Sequence, residues 1–197
     1  NSIFNSIYSI KTMESYKKTH LVPFGEYIPF IKNLRGIIDF FDLPMSNVSH
    51  GANNQRNIMI NKDISIASPI CFDIAFSNTV RKMNKSSFLM INVSNDTWFG
   101  NSIGPYHHLS IARIRAIENN RYTIRSTNDG ISAIITNKGT IVSFLEKGRS
   151  GILEGNVKLI KTNTFYSQIG YLLFIILSFI IVLIPFLKII WKKILRS

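Results

Sequence analysis

Apolar and polar positions fall into short alternating runs over roughly the first 160 residues, and then into one long apolar run near the C-terminus. Ile3 to Ile10 alternates weakly, as an edge strand does, and Arg56–Ile60 and Ile64–Ala67 flank the turn Asn61-Lys62-Asp63, a hairpin signal. Ile74–Met83 predicts a helix, which leaves Cys71 at a strand end. Phe88–Val93 is a dense apolar run that predicts a buried strand, closed by the polar cluster Ser94-Asn95-Asp96. His107–Asn119 carries Leu109, Ala112, Ile114 and Ile117 between arginines and predicts an amphipathic helix. Tyr122–Ser126, Ile131–Thr136 and Thr140–Leu145 predict strands, the last two joined by the turn Asn137-Lys138-Gly139. Strands alternating with helices indicate an α/β domain.

Two segments stand outside this alternation. Thr162 to Leu187 holds no charged residue, and about 20 apolar residues suffice to span a bilayer as a helix, so a transmembrane helix is expected over residues 166–190. A basic tail, 191–197, follows, and the positive-inside rule places it in the cytoplasm, with the globular part, 1–165, on the other side. Tyr27–Met45 is amphipathic and apolar-rich, which fits either a helix packed on the domain or an arm dipping into a bilayer surface.

Composition narrows the field. The chain has 197 residues, 46% of them hydrophobic, which excludes a disordered chain and supports one substantial core. Its net charge of +12 could serve nucleic acid or anionic lipid; no nucleic-acid motif accompanies it, and with an anchor present lipid is the more economical partner. No signal peptide opens the chain, which begins at Asn1 rather than methionine and reads as the C-terminal part of something longer.

The candidate chemistry centres on Cys71, the one cysteine, and on Tyr16–Tyr27, Y-K-K-T-H-L-V-P-F-G-E-Y. A thiol attacks a carbonyl as thiolate, so it needs a cation or base nearby; Lys18 supplies a cation, and Glu26 and Asp73 are acids by type. Lys18, with backbone N–H groups after Cys71, would hold the oxyanion of a tetrahedral intermediate. A lone cysteine in apolar surroundings also reads as an inert core residue, and His20, His107 and His108 lack zinc-type spacing, so neither metal nor cofactor is expected. Residue types alone lead to a membrane-anchored α/β domain with a candidate reactive thiol.

Five blocks in order carry a resemblance: the Tyr16–Tyr27 segment, P-I-C-F-D-I-A-F, V-S-N-D-T-W-F-G-N-S-I-G-P-Y-H-H-L, A-R-I-R-A-I-E-N-N-R and R-S-T-N-D-G-I-S-A. Together they resemble the apolipoprotein N-acyltransferase branch of the nitrilase, or carbon-nitrogen hydrolase, superfamily. The resemblance implies an α-β-β-α sandwich, incomplete at its N-terminus, facing the periplasm from a bacterial inner membrane and followed by one transmembrane helix. It implies Cys71 as nucleophile, Lys18 as the triad lysine and Glu26 as a further active-site glutamate. Phe72 and Asp73 follow the nucleophile where the family commonly has Tyr-Glu. The Ser94–Gly100 loop, with Asn95, Trp98 and Phe99, would line the acyl site, and Glu118 would brace the domain. Implied partners are a phospholipid acyl donor, an apolipoprotein acceptor, the membrane and a polypeptide supplying the N-terminal part, since the family's general-base glutamate lies upstream of Asn1. The expectation is a C-terminal portion inactive by itself; a nitrilase-type amidase and a non-catalytic anchored module are the alternatives.

Overall fold

The computed structural model describes the backbone of residues 2–27 and 48–194, and in the last helix the side chains as far as Pro185 and at Lys188. The amphipathic stretch after Tyr27, to Met45, and the end of the basic tail lie outside the described residues.

Six strands form one mixed sheet in sequence order: β3 (Ile58–Met59), β4 (Ser65–Ala67), β5 (Leu89–Asn95), β6 (Thr123–Asn128), β7 (Ser132–Ile135) and β8 (Ile141–Leu145). The two outer hairpins, β3–β4 and β6–β7–β8, are antiparallel, whereas β4–β5 and β5–β6 are parallel. Each parallel step crosses over through a helix, α1 (Ser77–Asn84) and α2 (Gly104–Asn119). A separate antiparallel pair, β1 (Ser6–Tyr8) and β2 (Ser15–Lys17), completes the strands.

The period-2 alternation sorts side chains to two faces. Ala67, Met90, Ala133 and Ile135 meet Val80 of α1 and Leu109, Ala112 and Ala116 of α2 in one core. Alanines at 112 and 116 lie one helical turn apart and let α2 approach the sheet closely. Ile58, Ile66 and Leu89 face the other way and meet Tyr16 of β2 and Ile7 of β1. Three layers are thus described, helices, sheet and second sheet, an α/β architecture of the expected kind. Each large aliphatic side chain buried in these cores contributes about 1.5–3 kcal/mol.

Two expected elements differ. The helix expected from Ile74 begins at Ser77, because residues 71–75 wind as a tighter 3-10 turn. In that turn Asp73 Oδ2 accepts from Ile70 N at 3.2 Å and Asp73 N donates to Ile70 O at 2.9 Å. The helix expected over 166–190 divides into α3 (Phe165–Ile169) and α4 (Leu172–Ile194), parted at Gly170, whose φ of +62° leaves the helical region. Among the described residues no helix is long and apolar enough to cross a membrane, so the transmembrane expectation is not confirmed there. The described side chains of α4 from Phe174 to Pro185 are nevertheless exposed without a break.

A buried arginine ties the segment before α3 to the sheet. Arg121 donates to the carbonyls of Ser87, Asn84 and Thr162 and to Asn163 Oδ1 at 2.7–2.9 Å, and Ile160 N bonds Phe88 O.

Candidate active site

Cys71 follows β4 and opens the 3-10 turn with φ of +46°, a left-handed conformation that costs a non-glycine residue about 1–3 kcal/mol. The conformation turns the chain sharply at the C-terminal edge of the sheet and leaves the thiol half-buried, its Sγ 3.9 Å from Asn95 O. A cavity of 610 Å³ opens there, lined by Cys71, Lys18, Glu26, Asn5, Asn95 and Trp98 among others.

The loop after β2 brings Lys18 and Glu26 together. Lys18 is buried and its Nζ donates to both oxygens of Glu26, at 2.8 and 2.6 Å. Glu26 also accepts from Asn5 Nδ2 at 2.5 Å and from Val22 N at 2.8 Å. The eight-residue spacing works because Pro23, Phe24 and Gly25 reverse the chain, with Phe24 N bonded to Tyr27 O at 2.7 Å and Glu26 N to Val22 O at 2.9 Å. Four hydrogen bonds from three groups fix this carboxylate in place and aim the ammonium into the cavity. Such a carboxylate orients a lysine rather than collecting a thiol proton.

The other expected residues divide between the cavity and its support. Asn95 and Trp98 line the cavity, Trp98 largely exposed. Phe99 instead packs edge-on against His108, ring centroids 5.8 Å apart. Phe72 points away and meets Phe76 edge-to-face at 5.1 Å, a contact that needs no hydroxyl. Asp73 is fully buried and accepts from Tyr16 Oη at 3.1 Å and His20 N at 2.7 Å as well as Ile70 N, so the shorter acid is fully engaged. Burial pushes its carboxyl above the usual range in spite of these bonds. Glu118 lies on α2, ion-paired with Arg115, and its backbone carbonyl accepts from Thr164 Oγ1, bracing the approach to α3.

Sequence reasoning missed a charged cluster beneath Cys71. Asp96, wholly buried, accepts from His108 Nδ1 at 2.9 Å, Ser94 Oγ at 2.6 Å and Arg125 Nη2 at 2.7 Å. Burial alone would raise the Asp96 carboxyl, but the His108 bond, the Arg125 charge and the Ser94 hydroxyl outweigh it and hold the carboxyl below its usual value. Arg125 is pushed down by burial, with Asp96 and Cys71 acting against that shift. The polar close of β5 and the second histidine of His107-His108 were the available signals. Among the described residues no group of three or more His, Cys, Asp or Glu side chains could hold a metal ion.

The carbon-nitrogen hydrolase family model matches residues 2–165. The apolipoprotein N-acyltransferase of Shewanella oneidensis is 37% identical over 185 residues, covering 93% of this chain and 36% of that protein. The enzyme of the same name from Pseudomonas syringae pv. tomato is 44% identical over 143 residues, covering 73% and 28%. The chain therefore spans about a third of the length of the curated relatives it matches. Among solved structures, the C. elegans NitFhit protein aligns with TM-score 0.50 at 20% identity over 68% of this chain and 32% of that one, a likeness of fold.

Proposed function

Because the chain belongs to the carbon-nitrogen hydrolase family and the relatives matched over that domain are named apolipoprotein N-acyltransferases, we propose that it forms the thiol-bearing part of such an acyltransferase. The observation that carries the reading is the single cavity in which Cys71 and an ammonium fixed by Glu26 share the wall.

In this reading the Cys71 thiolate attacks an ester carbonyl of a phospholipid, and Lys18 with the backbone N–H groups of the elbow holds the oxyanion. The C–O bond breaks, lysophospholipid leaves with a proton, and the acyl chain remains on Cys71 as a thioester. The α-amine of the diacylglyceryl-cysteine that begins an apolipoprotein then attacks the thioester. An amide forms and the thiol is restored. Glu26 is engaged by Lys18, Asn5 and Val22, and Asp73 by Tyr16, His20 and Ile70, which leaves neither poised to take the thiol proton; the family resemblance assigns that task to a further glutamate. By itself the chain acylates slowly or not at all.

The membrane belongs to the same proposal. The apolar side chains of α4 from Phe174 to Pro185 are exposed, which water disfavours and a bilayer accepts, and the sequence from Lys188 on supplies Lys192, Lys193 and Arg196 as further cytoplasmic anchors. The catalytic domain then faces the periplasm of an inner membrane.

Mass spectrometry of Cys71 after incubation of the reconstituted chain with phospholipid tests the reading, with Cys71→Ser as control. A thioester-linked acyl mass that increases when an N-terminal polypeptide of the relatives is supplied supports it. Hydrolysis of a small amide with no acyl mass from phospholipid would replace it with an amidase.

A further inference from the structure

Stability alone does not account for the charged cluster beneath the elbow. Isolated ions cost several kcal/mol each to bury, and apolar replacements of buried ion pairs are often neutral or stabilising. Arg125 and Asp96 are both fully buried, and His108 nearly so.

The cluster ends at two points on the backbone of residues 69–71, one of them the nucleophile's own carbonyl. At one end His108 Nε2 lies 3.3 Å from the carbonyl oxygen of Cys71. At the other, Arg125 Nη1 bonds Asn92 Oδ1, and Asn92 Nδ2 donates to Pro69 O at 2.9 Å. Between the ends runs the chain of contacts from Asn92 through Arg125 and Asp96 to His108. We infer that His108 is a positioning residue whose bond to the Cys71 carbonyl, backed by Asp96, Arg125 and Asn92, clamps residues 69–71 so that the nucleophile keeps its left-handed backbone. This deepens the acyltransfer reading and rests on it for the importance of Cys71.

Two further observations fit the clamp. A left-handed cysteine persists only where its surroundings over-determine it, and carbonyls on both sides of Cys71 are held by side chains from β5 and α2. Both ring nitrogens of His108 face oxygen atoms, Asp96 Oδ1 at 2.9 Å and Cys71 O at 3.3 Å, so the ring bridges the Asp96–Arg125 pair to the nucleophile's carbonyl.

The test separates the two bonds. In His108→Gln the amide nitrogen reaches the place of Nε2 and keeps the Cys71 carbonyl; in His108→Asn it reaches the place of Nδ1 and keeps Asp96. The rate of Cys71 alkylation by iodoacetamide is measured on the full chain in detergent, beside its thermal midpoint. The clamp requires the Gln variant to stay within about threefold of the parent and the Asn variant to slow by about tenfold, the effect of one buried hydrogen bond, at similar midpoints. The reverse order, equal rates in the two variants, or loss of the folded state in both would overturn it and leave His108 a purely structural partner of Asp96. Alkylation is independent of acyl transfer. If phospholipid leaves no acyl mass on Cys71 while the Gln and Asn variants still divide, the acyltransfer reading fails and the clamp stands.

Discussion

Lys18 is fixed by a carboxylate that has no lone pair to spare, so its ammonium is pre-positioned before any substrate arrives. Lys18→Met, similar in length and uncharged, should reduce thioester formation at Cys71 by about 10²–10³-fold, the loss typical of one oxyanion donor. Glu26→Gln should cost less, because its oxygen still accepts from Lys18, while its new amide group opposes the ammonium and Val22 N. Acylation rates at saturating phospholipid, measured with an N-terminal polypeptide of the relatives supplied, order the two variants; equal losses would mean that Glu26 is more than a tether. Gly130 sits where a Cβ would lie 2.8 Å from the Asp96 Cβ. Gly130→Ala should therefore displace Asp96 and loosen the elbow, lowering the thermal midpoint and slowing Cys71 alkylation together; an unchanged midpoint would mean that the loop before β7 gives way instead.

At the scale of the element, the six strands of the mixed sheet were legible because their side chains alternate between two cores, as Ile66 and Ala67 do, whereas β2, inside the Tyr16–Tyr27 segment, was not expected. The 3-10 turn at Cys71 was not legible, since it depends on donors from His20 and Tyr16, more than 50 residues earlier, converging on Asp73. The motif residues Cys71, Lys18 and Glu26 could be named from a resemblance, but not their shared cavity, nor the pairing of His108 with Asp96 and Arg125, which needs α2 laid across β5 and β6. The two buried aspartates give pH dependence of opposite sign. Asp96 is held below 3.8, so the unfolded chain binds the proton more readily; its contribution to stability is complete above pH 3.8 and is lost as pH falls further. Asp73 is raised above 3.8, so the folded state binds the proton more readily, and stability is lost as pH climbs from 3.8 through the raised value. Urea midpoints between pH 3 and 7 should show Asp73→Asn flattening the upper part of the curve and Asp96→Asn the lower; the same flattening from both would contradict these opposite environments.

For the whole molecule, the question is what accepts the apolar surface of α4. A helix whose residues from Phe174 to Pro185 all face outward cannot be stabilised by the domain it follows, while α3 and the Arg121 and Arg81 bonds fix its base. Arg81 Nη1 donates to the carbonyls of Ser167 and Gln168 at 3.1 and 3.2 Å, at the end of α3, so α1 grips the point from which α4 departs. A chain ending at Gly170 keeps that grip and both cores. It should remain in the supernatant after ultracentrifugation with vesicles of mixed zwitterionic and anionic lipid, whereas the full chain should sediment with them and resist extraction by 1 M salt (about a 3 Å screening length), since apolar burial rather than charge holds it. If salt released the full chain, its basic surface would be the anchor and α4 would have to be covered by protein. If phospholipid is the acyl donor as proposed, it reaches the cavity shared by Cys71 and Trp98 from the bilayer, so detaching the domain should also lower the rate of thioester formation from vesicles while leaving alkylation of Cys71 unchanged. A fall in both rates would instead mean that α4 shapes the elbow itself.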